Sequence, residues 1–188
     1  MTYFTADLHL GHTNILSLCD RPFSCIEEMD GILIENWNRK VNKTDTVYVL
    51  GDLIWEKKKA VDYLSQLRGH KILIRGNHDL DWLKAAGAKE HFQDILPYLE
   101  FHLQGHPITL CHYPMLEWKN SRKSDSDKLG YLIHGHIHNR TDELYLPLFS
   151  QDHALNAGVD INHYTPVSFD ELRENNRAFK AQLWKVDT

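Results

Sequence analysis

Cysteine is scarce in this 188-residue chain, and its three copies, Cys19, Cys25 and Cys111, form no C-x-x-C pair and no even framework. That excludes a disulfide scaffold and fits a reducing compartment better than a secreted one. Long apolar runs are missing too: no segment approaches the ~20 apolar residues that a membrane span needs. The chain reaches Asp7 and His9 without a basic stretch followed by an apolar one. A cytoplasmic protein with no membrane partner is the expectation. A basic excess is also absent; the formal net charge is −5, so nucleic acid is not an expected partner. No repeat, low-complexity tract or linker divides the sequence, which predicts one domain over residues 1–188. Oligomeric state is left open by all of this.

What is present is histidine, 13 of them, in a chain that is 42% hydrophobic and long enough for a full-sized core. Short apolar runs predict strands at 3–6, 46–50, 71–75, 108–111, 131–134, 154–157 and 179–186. Between the early ones, Ile26, Met29, Leu33 and Trp37, and then Ala60, Leu64 and Leu67, recur at helical spacing. Alternating strands and helices predict a largely parallel sheet in the first half. The denser strand signals of the second half predict another sheet packed on the first. Residues 80–86 read as a short helix closed by Gly87. Residues 168–175 read as another, opened by a Ser168/Glu171 capping box. The polar run 118–128 reads as a mobile loop.

The informative pattern lies just after the strands. Asp7-x-His9, Gly51-Asp52, Gly76-Asn77-His78-Asp79, His112 and Gly135-His136-x-His138 each follow an apolar run. Taken singly, an Asp-x-His pair means little in so histidine-rich a chain; the set is specific. In an extended segment residues i and i+2 point the same way, so Asp7 and His9, and likewise His136 and His138, can face one cavity. Cys111 then points away from His112 and is expected as a small buried hydrophobe. Gly51 and Gly76 permit tight turns or close backbone approach. Imidazole and carboxylate without thiolate suit Zn, Mn, Fe, Co or Ni. A carboxylate such as Asp52 can bridge two cations. Two divalent ions, two carboxylates and a hydroxide leave a site charge near about +1. An acidic chain can thus attract a phosphate anion.

With these five blocks the chain resembles the calcineurin-like metallophosphoesterase superfamily, in a small single-domain branch of bacteria and phages. Gly11-His12-Thr13-Asn14-Ile15, Arg21-Pro22-Phe23, His112-Tyr113-Pro114 and Asn156-x-Gly158-Val159-Asp160 carry the closer likeness. The resemblance implies a four-layer α/β/β/α sandwich of two mixed sheets. It also implies two divalent metal ions, one held by Asp7, His9, Asp52 and His138, the other by Asp52, Asn77, His112 and His136. His78 would be the catalytic histidine, oriented by Asp79. Small phosphate esters, monoesters or diesters, would be hydrolysed by in-line attack of a metal-bridging hydroxide. The competing readings are a nuclease of the same chemistry and a non-catalytic metal- or partner-binding module.

Other residues are weaker candidates. His12 could contact a substrate phosphate or merely lead into a short helix capped by Thr13. Arg21 could clamp a phosphate, Arg140 could reach one, and Lys119, Arg122 and Lys123 could overhang the pocket as a lid. Asn77 and His78 would also touch substrate. Asn156 and Asp160 read as structural hydrogen-bonding residues beside the site. His134 reads as a strand residue facing away from it.

Overall fold

A computed structural model describes residues 1–123 and 128–183. Strands β1 (Thr2–Thr5), β2 (Thr46–Val49), β3 (His70–Ile74) and β4 (Phe92–Leu96) form one sheet in that order, every neighbouring pair parallel. Strands β5 (Leu99–Leu103), β6 (His106–Leu110), β7 (Tyr131–His134) and β8 (Ala154–Asn156) form the second. There β5 runs antiparallel to β6, and the rest pair in parallel. Only the second sheet is mixed, which corrects the expectation of two mixed sheets. The chain crosses from one sheet to the other through the turn between β4 and β5.

Alternation along the strands divides the core. Val47, Val49 and Leu73 turn to one face of the first sheet, against α2 (Ile26–Lys40) and α3 (Ala60–Gln66). Tyr48, Leu50 and Ile74 turn to the other face and meet Ile108, Leu110 and Ile133 of the second sheet. Beyond that, Leu132 and Ala154 pack with Leu148 and Phe149 of α5 (Leu146–Phe149) and with Phe179 of α6 (Phe169–Leu183). The layers are therefore helix, sheet, sheet, helix. Both sheets are covered on both faces, as parallel strands require.

Helix α6 corrects the expected strand at 179–186. The helix expected at 168–175 does start there: the Ser168 N–H donates to the Glu171 carboxylate and the Glu171 N–H donates back to Ser168 Oγ. It then runs on to Leu183, because Phe169, Leu172, Asn176, Phe179 and Leu183 make one stripe at spacings of three and four. Residues 184–186 lie outside those described. Two inward polar residues, Asn176 in the stripe and Lys180 beside it, disguise it. Asn176 bonds both the N–H (2.7 Å) and the C=O (3.0 Å) of Asn156, and Lys180 Nζ donates to Gln151 O and Ala154 O. These side chains cover the open edge of β8, whose backbone would otherwise be buried without partners.

Smaller differences follow similar logic. Strands β4 and β5 escape the apolar-run criterion because they are edge strands, half exposed and interleaved with Gln93, Asp94, Glu100 and His102. The helix expected at 80–86 is the single turn α4 (Asp79–Trp82), and Gly87, at φ 85°, opens the following turn. Asn14, not Thr13, precedes α1 (Ile15–Leu18). In the 118–128 loop, Trp118 donates its indole N–H to Gly130 O, which anchors one end; residues 124–127 are not described. No helix among the described residues is long and apolar enough to cross a membrane.

Candidate metal centre

Both sheets open their strand ends on one rim, and strained backbone builds it. Asp7 (φ 58°), His9 (53°), Asp52 (52°), His136 (73°) and His138 (52°) all lie in the left-handed region. Such residues cost of order 1–3 kcal/mol each where the side chain is not glycine. The extended geometry expected for Asp7/His9 and His136/His138 is therefore corrected: left-handed turns aim these side chains, not strand alternation. Backbone bonds beyond the strands hold the turns, from Asp7 N to Gly51 O and from His9 N to Asp52 O, each 3.0 Å. Gly51 has φ 87°, and a Cβ on it would overlap His112; a Cβ on Gly76 would overlap the Asp52 carboxylate. Both glycines are needed for close approach, as the sequence suggests.

Two donor sets result. One ligand atom each from Asp7, His9 and His138 lies within 4.8 Å of the others, and the same holds for Asp52, His112 and His136. Asp52 Oδ2 stands between them, 3.7 Å from His9 Nε2 and 3.5 Å from His112 Nε2. Asn77 Oδ1 is 3.0 Å from His112 Nε2 and 3.1 Å from His136 Nδ1.

The chemistry of these donors fits cations. His112 Nδ1 lies 2.7 Å from Leu50 O and must carry the proton in that bond. In the neutral ring its Nε2 then presents a lone pair to the oxygens of Asn77 and Asp52, an arrangement a cation relieves. Asp7 Oδ1 and both ring nitrogens of His9 are buried with no partner among the described residues, a condition native structures avoid without cause. Burial holds His9 well below the usual histidine range and lowers His136, which favours the neutral rings that ligation requires. Burial likewise pushes Asp7 up to about 6, against the pull of His138 and His112. A cation at Oδ1 would favour its charged form.

His78 is placed differently. Its side chain is 40% exposed, with Nε2 4.0 Å from Asp52 Oδ2, on the open side of the donors. Its backbone N–H donates to Asp52 Oδ1 at 2.9 Å, so the same loop that presents His78 also steadies the shared carboxylate.

Comparison with known proteins agrees with this geometry. Residues 5–158 match the family description "calcineurin-like phosphoesterase superfamily domain". The chain belongs to that superfamily. It is 38% identical to an uncharacterized protein of Methanocaldococcus jannaschii over 172 residues, covering 89% of this chain and 86% of the other. It is 34% identical to the gene 66 protein of Mycobacterium phage L5, covering 73% of this chain and 77% of that protein. A crystal structure of a protein of unknown function from Aquifex aeolicus aligns with TM-score 0.71 and 31% identity, over 93% of this chain and 98% of that one.

Within this calcineurin-like site, several expected roles shift. Asp79 does not orient the His78 ring. Its buried carboxylate accepts from the N–H groups of Asp52, Leu53 and Gly76 and from the Trp82 indole, clamping two site loops together. Arg21 is not a phosphate clamp. It is buried, and its donors go to both Asp160 oxygens, Leu8 O, Asp7 O and the Met29 sulfur, leaving none for a substrate. Arg140 is exposed, bonded to Asp142 and laid over the Tyr145 ring at 5.4 Å, with no bond to a donor residue. Lys119 and Arg122 pair with Glu100 and Glu117, which gives them partners outside the donor sets. His12 does lie at the site, its ring centroid 5.3 Å from that of His9. His134 is buried in β7; Cys111, expected to be buried, is only half-buried against the outer core.

The sequence reading underrates Asp160. Its Oδ2 lies 2.9 Å from His138 Nδ1, which turns Nε2 toward the first donor set. Burial works against the charge of Asp160, but His138 and Arg21 outweigh it and hold the carboxyl below its usual range. Burial also tends to lower His138; its bonds to Asp160 and Cys19 and the nearby Asp7 overcome this and push it up to about 10. Cation binding there must displace that proton. Spacing gives no hint of the pair, because 22 residues separate the partners. Trp55 is missed as well; it lies at the rim, 4.9 Å from the His78 ring centroid.

Proposed function

We propose that the chain hydrolyses small phosphate esters, monoesters or diesters, by direct in-line displacement at phosphorus with two divalent cations at the rim. The observation that carries this reading is the position of Asp52 Oδ2 between His9 and His112, one from each donor set. Asp7, His9, Asp52 and His138 would hold one ion; Asp52, Asn77, His112 and His136 would hold the other. Bound there, divalent cations acidify water and neutralise charge on phosphoryl oxygens. Mn, Fe, Zn, Ni and Co all suit the donors.

The protein's own groups complete the chemistry. Asp52, whose carboxylate accepts from the His78 N–H, would be the ligand common to both ions. His78, open to solvent beside Asp52, would protonate the departing alkoxide. This direct displacement needs no covalent phospho-enzyme. An exposed histidine beside complete donor sets favours catalysis over a module that only binds metal or a partner. The net charge of −5 disfavours a nuclease.

The test is metal analysis with turnover of bis(p-nitrophenyl) phosphate and p-nitrophenyl phosphate after reconstitution with each metal. Two ions per chain are expected, with activity lost on chelation and restored by Mn. Activity that survives exhaustive chelation overturns the mechanism. Two tightly held ions with neither ester turned over would identify a binding module instead.

A further inference from the structure

Four tryptophans are described, and three of them are buried. Trp37, Trp82 and Trp118 each donate the indole N–H, to Arg68 O, Asp79 Oδ1 and Gly130 O. Trp55 departs from that pattern. It is 45% exposed, and its indole N–H has no hydrogen-bond partner among the described residues. Neither core burial nor a polar bond accounts for so large an apolar side chain at a polar rim.

Its position is nevertheless fixed. The Leu10–Ile54 bridge and the bond from Trp55 N to Leu10 O (2.9 Å) hold its backbone beside the Asp7–His9 loop. The indole lies flat on His12, with centroids 3.8 Å apart and 7° between the planes. His78 is 4.9 Å away and His9 6.3 Å. An aromatic surface thus borders His78, the proton donor of the reading above. Tyr113, also exposed, borders the opposite donor set, 4.8 Å from His136.

We propose that Trp55, backed by His12, is the stacking platform for a planar aromatic leaving arm of the ester, a nucleobase or an aryl group, and so selects aromatic over alkyl phosphodiesters. The assignment rests on the phosphoesterase reading above. An ester whose phosphorus sits at the donors and whose leaving oxygen meets His78 extends that arm over Trp55. The ring is held in place before binding, so stacking orders no additional side chain. Tyr113 lies on the side away from His78 and is not part of the platform.

The metal-loaded enzyme and Trp55→Leu are compared on three diesters: bis(p-nitrophenyl) phosphate, 3′,5′-cyclic AMP and glycerophosphoethanolamine. The variant-to-wild-type ratio within each substrate removes differences in leaving-group reactivity. KM is expected to rise about tenfold for the aryl or the adenosine ester, or both, matching the loss of one stacking contact. The ester without an aromatic arm should be unchanged, kcat should move much less than KM, and Trp55→Phe should recover most of the loss. Whichever aromatic ester responds identifies the arm. Tyr113→Leu should leave the aromatic-to-alkyl ratio as it is.

A second readout needs no turnover: AMP should quench tryptophan fluorescence in the wild type and not in Trp55→Phe. Equal losses on all three esters would make Trp55 a structural support and overturn the platform. So would unchanged KM values, the result expected if the arm lies instead in the hollow of about 420 Å³ lined by Arg75, Leu80, Leu83, Lys84, Lys89 and Ile95. If no ester is turned over, the phosphoesterase reading fails by itself. AMP quenching then decides the platform separately, its presence supporting the assignment and its absence ending it.

Discussion

Around β8, Asn156, Asn162, Asn176 and Lys180 are buried polar residues, and each bonds to main chain. Asn162 Nδ2 donates to Asn156 O and Gly158 O, Asn156 Nδ2 to His138 O, and Asn176 and Lys180 cover the strand edge. At the rim, Asp7, His9, Asp52 and His112 are buried as deeply. There the ligand atoms face one another, and Asp7 Oδ1 and the His9 nitrogens have no hydrogen-bond partner among the described residues. The residue classes and the degree of burial are alike; what differs is saturation. A satisfied polar cluster specifies structure, and an unsatisfied one calls for a functional reason, which the cations proposed above would supply.

The largest effect should come from Asp52→Asn, which weakens the oxygen shared by the two donor sets. Metal analysis should find both ions diminished and turnover at background; two tightly held ions in that variant would refute the bridging role. His78→Gln should retain both ions and lose on the order of 10²–10⁴ in turnover, the range of an acid–base group. Rates near wild type would remove His78 from the chemistry. Asp160→Asn loosens the orientation of His138, and titration with a metal indicator should show one ion held about 10–100-fold more weakly. Equal weakening of both ions would place Asp160 outside a single donor set.

The β8 cluster should respond in the opposite sense. Asn176→Ala leaves the Asn156 N–H and C=O without those partners and should lower unfolding stability by about 1–3 kcal/mol. Metal content should stay at the wild-type value, and a loss of ions would join the two clusters that are here held distinct. Stability should also depend on pH through Lys180. Burial lowers Lys180 from 10.5 to about 8. Between those values the folded chain binds fewer protons than the unfolded one, so the contribution of Lys180 to stability rises with pH. Over that window the denaturation midpoint of the wild type should gain on that of Lys180→Met; parallel curves would remove the shift.

Much of this is legible in the sequence. The apolar runs locate six strands within a residue or two, because buried parallel strands are continuous and short. The seven donor residues stand out because polar side chains directly after such runs have one rim to share. Strands β4 and β5 are not legible as apolar runs, since edge strands show half their residues to solvent. Helix α6 is misread at its end because Asn176 and Lys180, polar by type, are inward by position.

The places of six strands along the chain, the positions of the glycines and the candidate donors come from the residues themselves, through periodicity, ligand chemistry and the resemblance they carry. The left-handed turns that aim the donors, the capture of Arg21 by Asp160, the clamp made by Asp79 and the seat of Trp55 on His12 come from the tertiary structure. Each of these last depends on partners far apart along the chain or on backbone conformations that only the surrounding bonds make tolerable, and spacing along the chain carries no record of either.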